Sequence, residues 1–291
     1  MIMDRKKLSN WLRHTLVGTN SDNSYRHCLL KENLAQRSEI TEELRQYVQE
    51  AHEDARRHLR ELAGYTLNPF EDYGADDPAK GYPETLHIIT LQGYFGEIFA
   101  AIIAQHFSPF EVNNWEVPAF LFRFHVVELQ HIEAINQIGG EVKRRPGRTG
   151  DDFLAFQRDG SGKIVRVLYG EAKCTADHDT EMIAEAYKKA GESPIVDFLR
   201  IIDILREKND PSAEQWIDAI RRARYDAQYE RYDLVSYVCG RHPKRNSVWL
   251  PTKKPHVIDD NNISRHRVLK VPIRKEKPRS VRPLNSMGWS I

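Results

Sequence analysis

The chain has 291 residues, with 43 Lys and Arg against 42 Asp and Glu, 12 His and three Cys. That length suits one large domain with additions or two modest ones. At 40% hydrophobic and 29% charged, the composition excludes collagen-like, disulfide-stapled and wholly disordered chains. The net charge of +1 hides segregation: segment 265–282 holds eight Lys or Arg and one acid, Glu276, a local +7 that leaves about −6 for the rest. Lys143, Arg144, Arg145 and Arg148 form a second basic run around Pro146-Gly147, and 241–254 forms a third, with five basic residues and no acid. Solvated surface and a loose tail are the plainer reading of such runs, and contact with phosphates is the sharper one.

The charged start continues as Ser9-Asn10-Trp11-Leu12-Arg13, where a secretory leader would need an apolar stretch. The longest charge-free stretch of the apolar part, 98–110, has 13 residues, too few to span a bilayer. Cys28, Cys174 and Cys239 are odd in number and far apart, which indicates neither a disulfide frame nor a zinc knuckle. These features predict a cytoplasmic protein with no membrane contact.

In chain order, residues 1–38 read as weakly patterned helix. The clearest helix covers 39–63, where Leu44, Val48, Ala51, Ala55, Leu59 and Leu62 recur at steps of four and three. Residues 68–83, rich in Gly, Pro and Asp, read as a linker or long loop. The spacing predicts an apolar helix over 84–107, with Gly93, Gly96, Ala100, Ala101 and Ala104 small enough for close packing, and a helix over 117–138 stopped by Gly139-Gly140. Three short extended segments come next at 141–145, 152–156 and 163–173, the last two joined by the turn Asp159-Gly160-Ser161-Gly162. Helices are predicted over 179–190, 194–208 and 212–230, then strands over 232–239 and 266–273. The order gives an α/β architecture with a mixed sheet covered by helices. The expected organisation is an N-terminal helical region and linker over 1–80, a main domain over 81–275 and a basic tail over 276–291.

One constellation carries chemistry. Asp152 heads the second extended segment, and the third ends Gly170-Glu171-Ala172-Lys173. Side chains alternate along a strand, so Glu171 and Lys173 share a face, and pairing through the 159–162 turn brings Asp152 near Glu171. Two carboxylates with open positions suit Mg²⁺ or Mn²⁺, and the Ala172 carbonyl offers another oxygen. A metal there polarises a phosphate and acidifies water, while Lys173 stabilises developing charge. Phosphodiester hydrolysis is the reaction that fits. An exposed strand-end salt bridge is the plainer alternative, because Glu-x-Lys is cheap: Glu141-Val142-Lys143 is a second copy, though without an Asp-headed strand upstream.

Asp152 and Glu171-Ala172-Lys173, within the order helix, three strands, helices, strand, resemble the PD-(D/E)xK nucleases of restriction-endonuclease-like fold. The likeness covers about residues 117–175, with later elements consistent in order only. It implies an α-βββ-α-β core and a metal-dependent DNA nuclease. By the resemblance, Asp152 and Glu171 hold metal with the Ala172 carbonyl, and Lys173 assists at the phosphate. The carboxylate that members often carry on the preceding helix falls on Glu128, with Glu97 as the alternative. Lys143, Arg144, Arg145 and Arg148 then become DNA-backbone contacts. The chain departs from the name-giving motif in reading Gly150-Asp151-Asp152 in place of Pro-Asp, which leaves Asp151 as a minor candidate. Within the superfamily, the extra N-terminal helices and Gly-Glu-Ala-Lys resemble nuclease subunits of prokaryotic anti-phage defence systems of Hachiman type. No Gly-x-x-x-x-Gly-Lys-Ser/Thr is present, so ATP-driven unwinding would fall to a helicase or ATPase partner. His125 and His131, on the helix of Glu128, read as packing, and Asp177-His178-Asp179 as a turn into a helix cap. Two other readings stay open: a non-catalytic nucleic-acid-binding subunit with this fold, and an RNA-directed nuclease. Oligomeric state has no signal in the sequence.

Overall fold

A computed structural model describes residues 3–19, 26–62, 77, 79–84, 86–122, 152–189, 196–240 and 265–272. The element order is α1 (Arg5–Trp11), β1 (Leu12–Thr19), β2 (Arg26–Glu32), α2 (Arg37–Leu62), α3 (Ile88–His106), β3 (Phe153–Arg158), β4 (Ile164–Thr175), α4 (Thr180–Lys189), α5 (Val196–Lys208), α6 (Pro211–Asp226), β5 (Glu230–Cys239) and β6 (Arg265–Pro272). The six strands form one mixed sheet in the order β1-β2-β6-β5-β4-β3, with helices on both faces. This is the expected α/β class.

Alternation along the strands sorts the core into two layers. Phe153, Ala155, Leu168, Ala172, Leu234 and Val238 point to the face covered by α3, together with residues of α1 and α2. Leu154, Phe156, Val167 and Tyr169 point to the other face, under α5 and α6. There Val235, Tyr237 and Cys239 meet Ile183, Ala186 and Tyr187 of α4. By length and composition α3 could cross a membrane, and it is the one such helix among the described residues. Its stretch 98–104 is fully buried against the sheet, which is the environment of a core helix.

The hairpin of β3 and β4 forms as the sequence implies. Asp159 organises the turn by accepting from the Ser161 and Lys163 N–H groups, and Gly162 supplies a φ of 81°. Helices appear at 37–62, 88–106, 180–189, 196–208 and 211–226, and strands at 230–239 and 265–272, each within a few residues of expectation. The extended segment expected at 141–145 lies outside the described residues.

Two expectations are corrected. Residues 1–38 are not a helical region: after the single short helix α1, β1 and β2 form an antiparallel hairpin, and β2 pairs in parallel with β6. Elements α1, β1, β2 and α2 therefore share one sheet and one core with the strands and helices C-terminal to them. Likewise, the helix expected to begin at residue 117 does not begin there. Residues 117–122 form no helix and come directly after Glu116, which exchanges two 2.8 Å backbone hydrogen bonds with Phe156 at the outer edge of β3. Ala119 and Leu121 face one core cluster and Phe120 and Phe122 the other, a strand-like alternation. Pro118 also disfavours a helical residue before it. Glu116 pairs with Arg158 at 2.8 Å, and Arg158 stacks on Trp216 of α6, 3.8 Å from the ring centre, which fastens this edge to the helical layer.

Candidate active site at the end of the central hairpin

The pairing of β3 with β4 stops at Phe153 opposite Gly170. Phe153 lies over Gly170 so closely that a Cβ there would sit 1.9 Å from a ring carbon; only glycine fits. One residue further, Asp152 stands opposite Glu171. Its N–H donates to the Gly170 carbonyl at 2.9 Å, and its Oδ2 accepts from the Ala172 N–H at 2.7 Å. The carboxylate of Asp152 thus occupies the edge of β4 that β3 has just vacated. A residue's N–H and C=O leave a strand on the same edge, so the Ala172 carbonyl opens toward this carboxylate.

The other edge of β4 is held by β5 through Cys239, so the site sits on a strand fixed from one side and, among the described residues, unpaired beyond Phe153 on the other. Glu171 and Lys173 project to the face covered by α4, as their spacing requires. Lys173 Nζ lies 2.8 Å from Glu171 Oε1, but off the hydrogen-bonding direction, so that oxygen keeps no aligned donor. Asp152, Glu171 and Lys173 are buried to 6%, 1% and 8% exposure. An exposed strand-end salt bridge does not describe them.

Burial shapes the charges. The Glu171 carboxyl is pushed up to about 7, first by loss of water and then by the Asp152 charge, with Lys173 and Lys189 pulling the other way. Burial depresses the Lys173 ammonium, but the neighbouring Glu171 and Asp152 outweigh it and raise it above its ordinary value. A carboxylate pair this strained favours a cation at its open side. Oxygen donors only, with an unaligned buried carboxylate oxygen, fit a hard divalent ion such as Mg²⁺ or Mn²⁺. Asp152, Glu171 and the Ala172 carbonyl would hold it. No group of three or more His, Cys, Asp or Glu side chains arranged to hold a metal ion occurs among the described residues.

Glu128, Asp151, Lys143, Arg144, Arg145 and Arg148 lie outside the described residues, as do His125 and His131. Glu97 is buried in α3, beside Gly96, where a Cβ would sit 3.0 Å from Cys174 Cβ and 3.6 Å from the Lys173 backbone. That contact is on the face opposite Glu171 and Lys173, and the charge of Glu97 acts on Tyr82. The turn at Asp177-His178-Asp179 does lead into a helix, with Asp179 Oδ1 accepting from the Glu181 and Met182 N–H groups. One residue escapes a reading of the sequence: Lys189, at the end of α4, reaches Glu171 Oε1 at 3.7 Å. Its only sequence signal is its place one turn beyond Ala186, on the side of α4 that packs on the sheet. Compared with protein-family models the chain matches none, and no curated protein matches it either.

Proposed function

We propose that the protein is a metal-dependent nuclease that hydrolyses phosphodiester bonds of DNA, built on a PD-(D/E)xK site in a restriction-endonuclease-like core. The observation that carries this reading is the meeting of Asp152, Glu171 and Lys173 in one buried cluster, opened by the end of β3 beside the Ala172 carbonyl. Buried charges are costly to a fold, and these stand where the pairing of β3 with β4 ends.

A bound Mg²⁺ or Mn²⁺ would supply Lewis acidity at the phosphate and at the attacking water. The chain's own groups do the rest. Asp152, anchored by the Ala172 N–H, and Glu171, oriented by Lys173, hold their oxygens in a fixed arrangement that costs little reorganisation. The Lys173 ammonium faces the charge that grows on the phosphate. One water is consumed and one P–O ester bond breaks, leaving a phosphate monoester and a free hydroxyl. Position on an antiviral pathway, beside an ATP-driven helicase partner, rests on the Hachiman-type resemblance alone. One of the two features behind it, the extra N-terminal helices, is present in part, as α1 and α2 with the strand pair β1 and β2 between them.

The test incubates purified protein with plasmid DNA, single-stranded DNA and RNA, in Mg²⁺, in Mn²⁺ and in EDTA. Cutting of DNA that needs metal and disappears in Asp152→Asn, Glu171→Gln and Lys173→Met supports the reading. Equal degradation by the triple variant refutes the site, binding without cutting favours the non-catalytic subunit, and preference for RNA redirects the substrate.

A further inference from the structure

We infer that Lys189 is a second phosphate-contacting ammonium, meeting the nucleic-acid backbone on the solvent side of the Asp152–Glu171 pair. The inference rests on the nuclease reading and adds to it the group that receives substrate. Two lysines approach the same oxygen, Glu171 Oε1, from different depths: Lys173 at 2.8 Å with a side chain 9% exposed, and Lys189 at 3.7 Å with one 24% exposed. The first is committed to its ion pair. The second holds Glu171 only at long range and otherwise pairs at 3.3 Å with Glu185, whose side chain is 56% exposed and so holds it weakly. An ammonium on a partly exposed side chain beside a buried acidic pair is placed for an incoming anion.

Its position is built in. Asp179 N–H donates to the Tyr237 hydroxyl at 2.7 Å, which seats the start of α4 on β5. Ile183, Ala186 and Tyr187 then pack on Val235, Tyr237 and Cys239. Lys189 lies three positions after Ala186 and four after Glu185, so the helix delivers its side chain over the end of β4. Charge points the same way. Asp152, Glu171 and Lys173 sum to one negative charge, and a divalent cation brings the site to one positive. A phosphodiester gains negative charge as water attacks, and Lys189 supplies the further positive charge that matches it. A lysine ammonium binds phosphate as a point charge without demanding paired geometry.

The experiment compares full-length wild type, Lys189→Met, Lys189→Arg and Lys173→Met. Cleavage of a labelled single-stranded oligonucleotide is followed in Mg²⁺. Binding of the same oligonucleotide is followed by anisotropy over a salt series with Ca²⁺ in place of Mg²⁺. Lys189→Met should lose about tenfold or more in kcat/KM, and its log–log salt slope should fall by about 0.7, the loss of one phosphate contact on a single strand. Lys189→Arg should stay within a few-fold of wild type. A purely structural lysine would not move the slope, and Lys189→Gln carries the same readouts if the Met variant does not fold. If Lys189→Met matches wild type in rate and slope while Lys173→Met loses cleavage, the role of Lys189 is overturned and the nuclease reading stands. If wild type binds without cutting, the slope alone decides Lys189 and the nuclease reading falls. If wild type neither cuts nor binds, both fall.

Discussion

The charge held at Glu171 makes a sharp prediction about stability and pH. The perturbation is Glu171→Gln, studied in buffer free of divalent metal. In the folded protein the carboxyl is pushed from an ordinary 4.5 up to about 7, chiefly by burial and then by Asp152. A raised folded value means that the protonated form is the stabilising one. That contribution is full below the unfolded value and disappears as pH rises through the folded one, so the window of loss runs from about pH 4.5 to about 7. Over it, wild type should lose about 2–3 kcal/mol relative to the Gln variant. That corresponds to about 3–5 °C in melting temperature for a chain of this length. Other groups titrate in the same range, so the quantity to follow is the difference between wild type and variant in urea or thermal unfolding. Metal supplies the second half. A divalent ion at about 100 times its Kd would add about 2.7 kcal/mol, enough to restore wild type at pH 8, and the variant should gain far less. A difference that stays flat from about pH 4.5 to about 7, or grows in favour of wild type as pH rises, would refute the assignment of Glu171 as the strained carboxylate.

Asp152→Asn removes the like charge beside Glu171, so the midpoint of the same pH-dependent loss should move down toward the ordinary carboxyl range; an unmoved midpoint would mean that the two groups do not sense one another. Gly170→Ala drives a methyl into the Phe153 ring and should cost about 1–3 kcal/mol in urea unfolding, with reduced cleavage because Asp152 adjoins Phe153; wild-type stability would contradict the close approach. Deleting residues 1–36 removes β1 and β2 and bares the edge of β6, so aggregation or loss of near-ultraviolet circular dichroism is expected. A soluble truncation with cooperative melting would show that those strands are dispensable.

How much of this is legible in the sequence depends on the range of the interactions involved. The turn at 159–162 fixes the register of β3 against β4, so Asp152 opposite Glu171 comes from local chemistry and strand alternation. The long helix at 37–62 is equally plain, because its apolar stripe from Leu44 to Leu62 repeats through about five turns. The segment 117–122 misleads for a physical reason: a run of Ala, Phe and Leu buried on every side satisfies a helical and an extended period alike, and only its pairing through Glu116 to Phe156 decides between them. The strands β1 and β2 escape notice because their pattern is weak and their stabilisation comes from a partner more than two hundred residues away, β6. Non-local pairing leaves little trace in a local window.

The same distinction bears on the site. Asp152, Glu171 and Lys173 are joined by one hairpin, and sequence spacing is enough to propose them together. Lys189 reaches Glu171 by another route, a helix laid across β5, whose placement depends on Tyr237 holding Asp179 and on the packing of Ile183, Ala186 and Tyr187. No spacing rule links residues 171 and 189. The basic run 265–282 divides in the same way: a strand is predicted over 266–273 and 265–272 forms β6, with strands paired on both sides, while the predicted tail over 276–291 lies outside the described residues. Charge density in a sequence therefore marks neither surface nor binding until the backbone is placed. A buried, mutually repelling carboxylate pair is better evidence of function, because its cost to the fold calls for a compensating ligand, and the pH and metal response of Glu171 measures that cost directly.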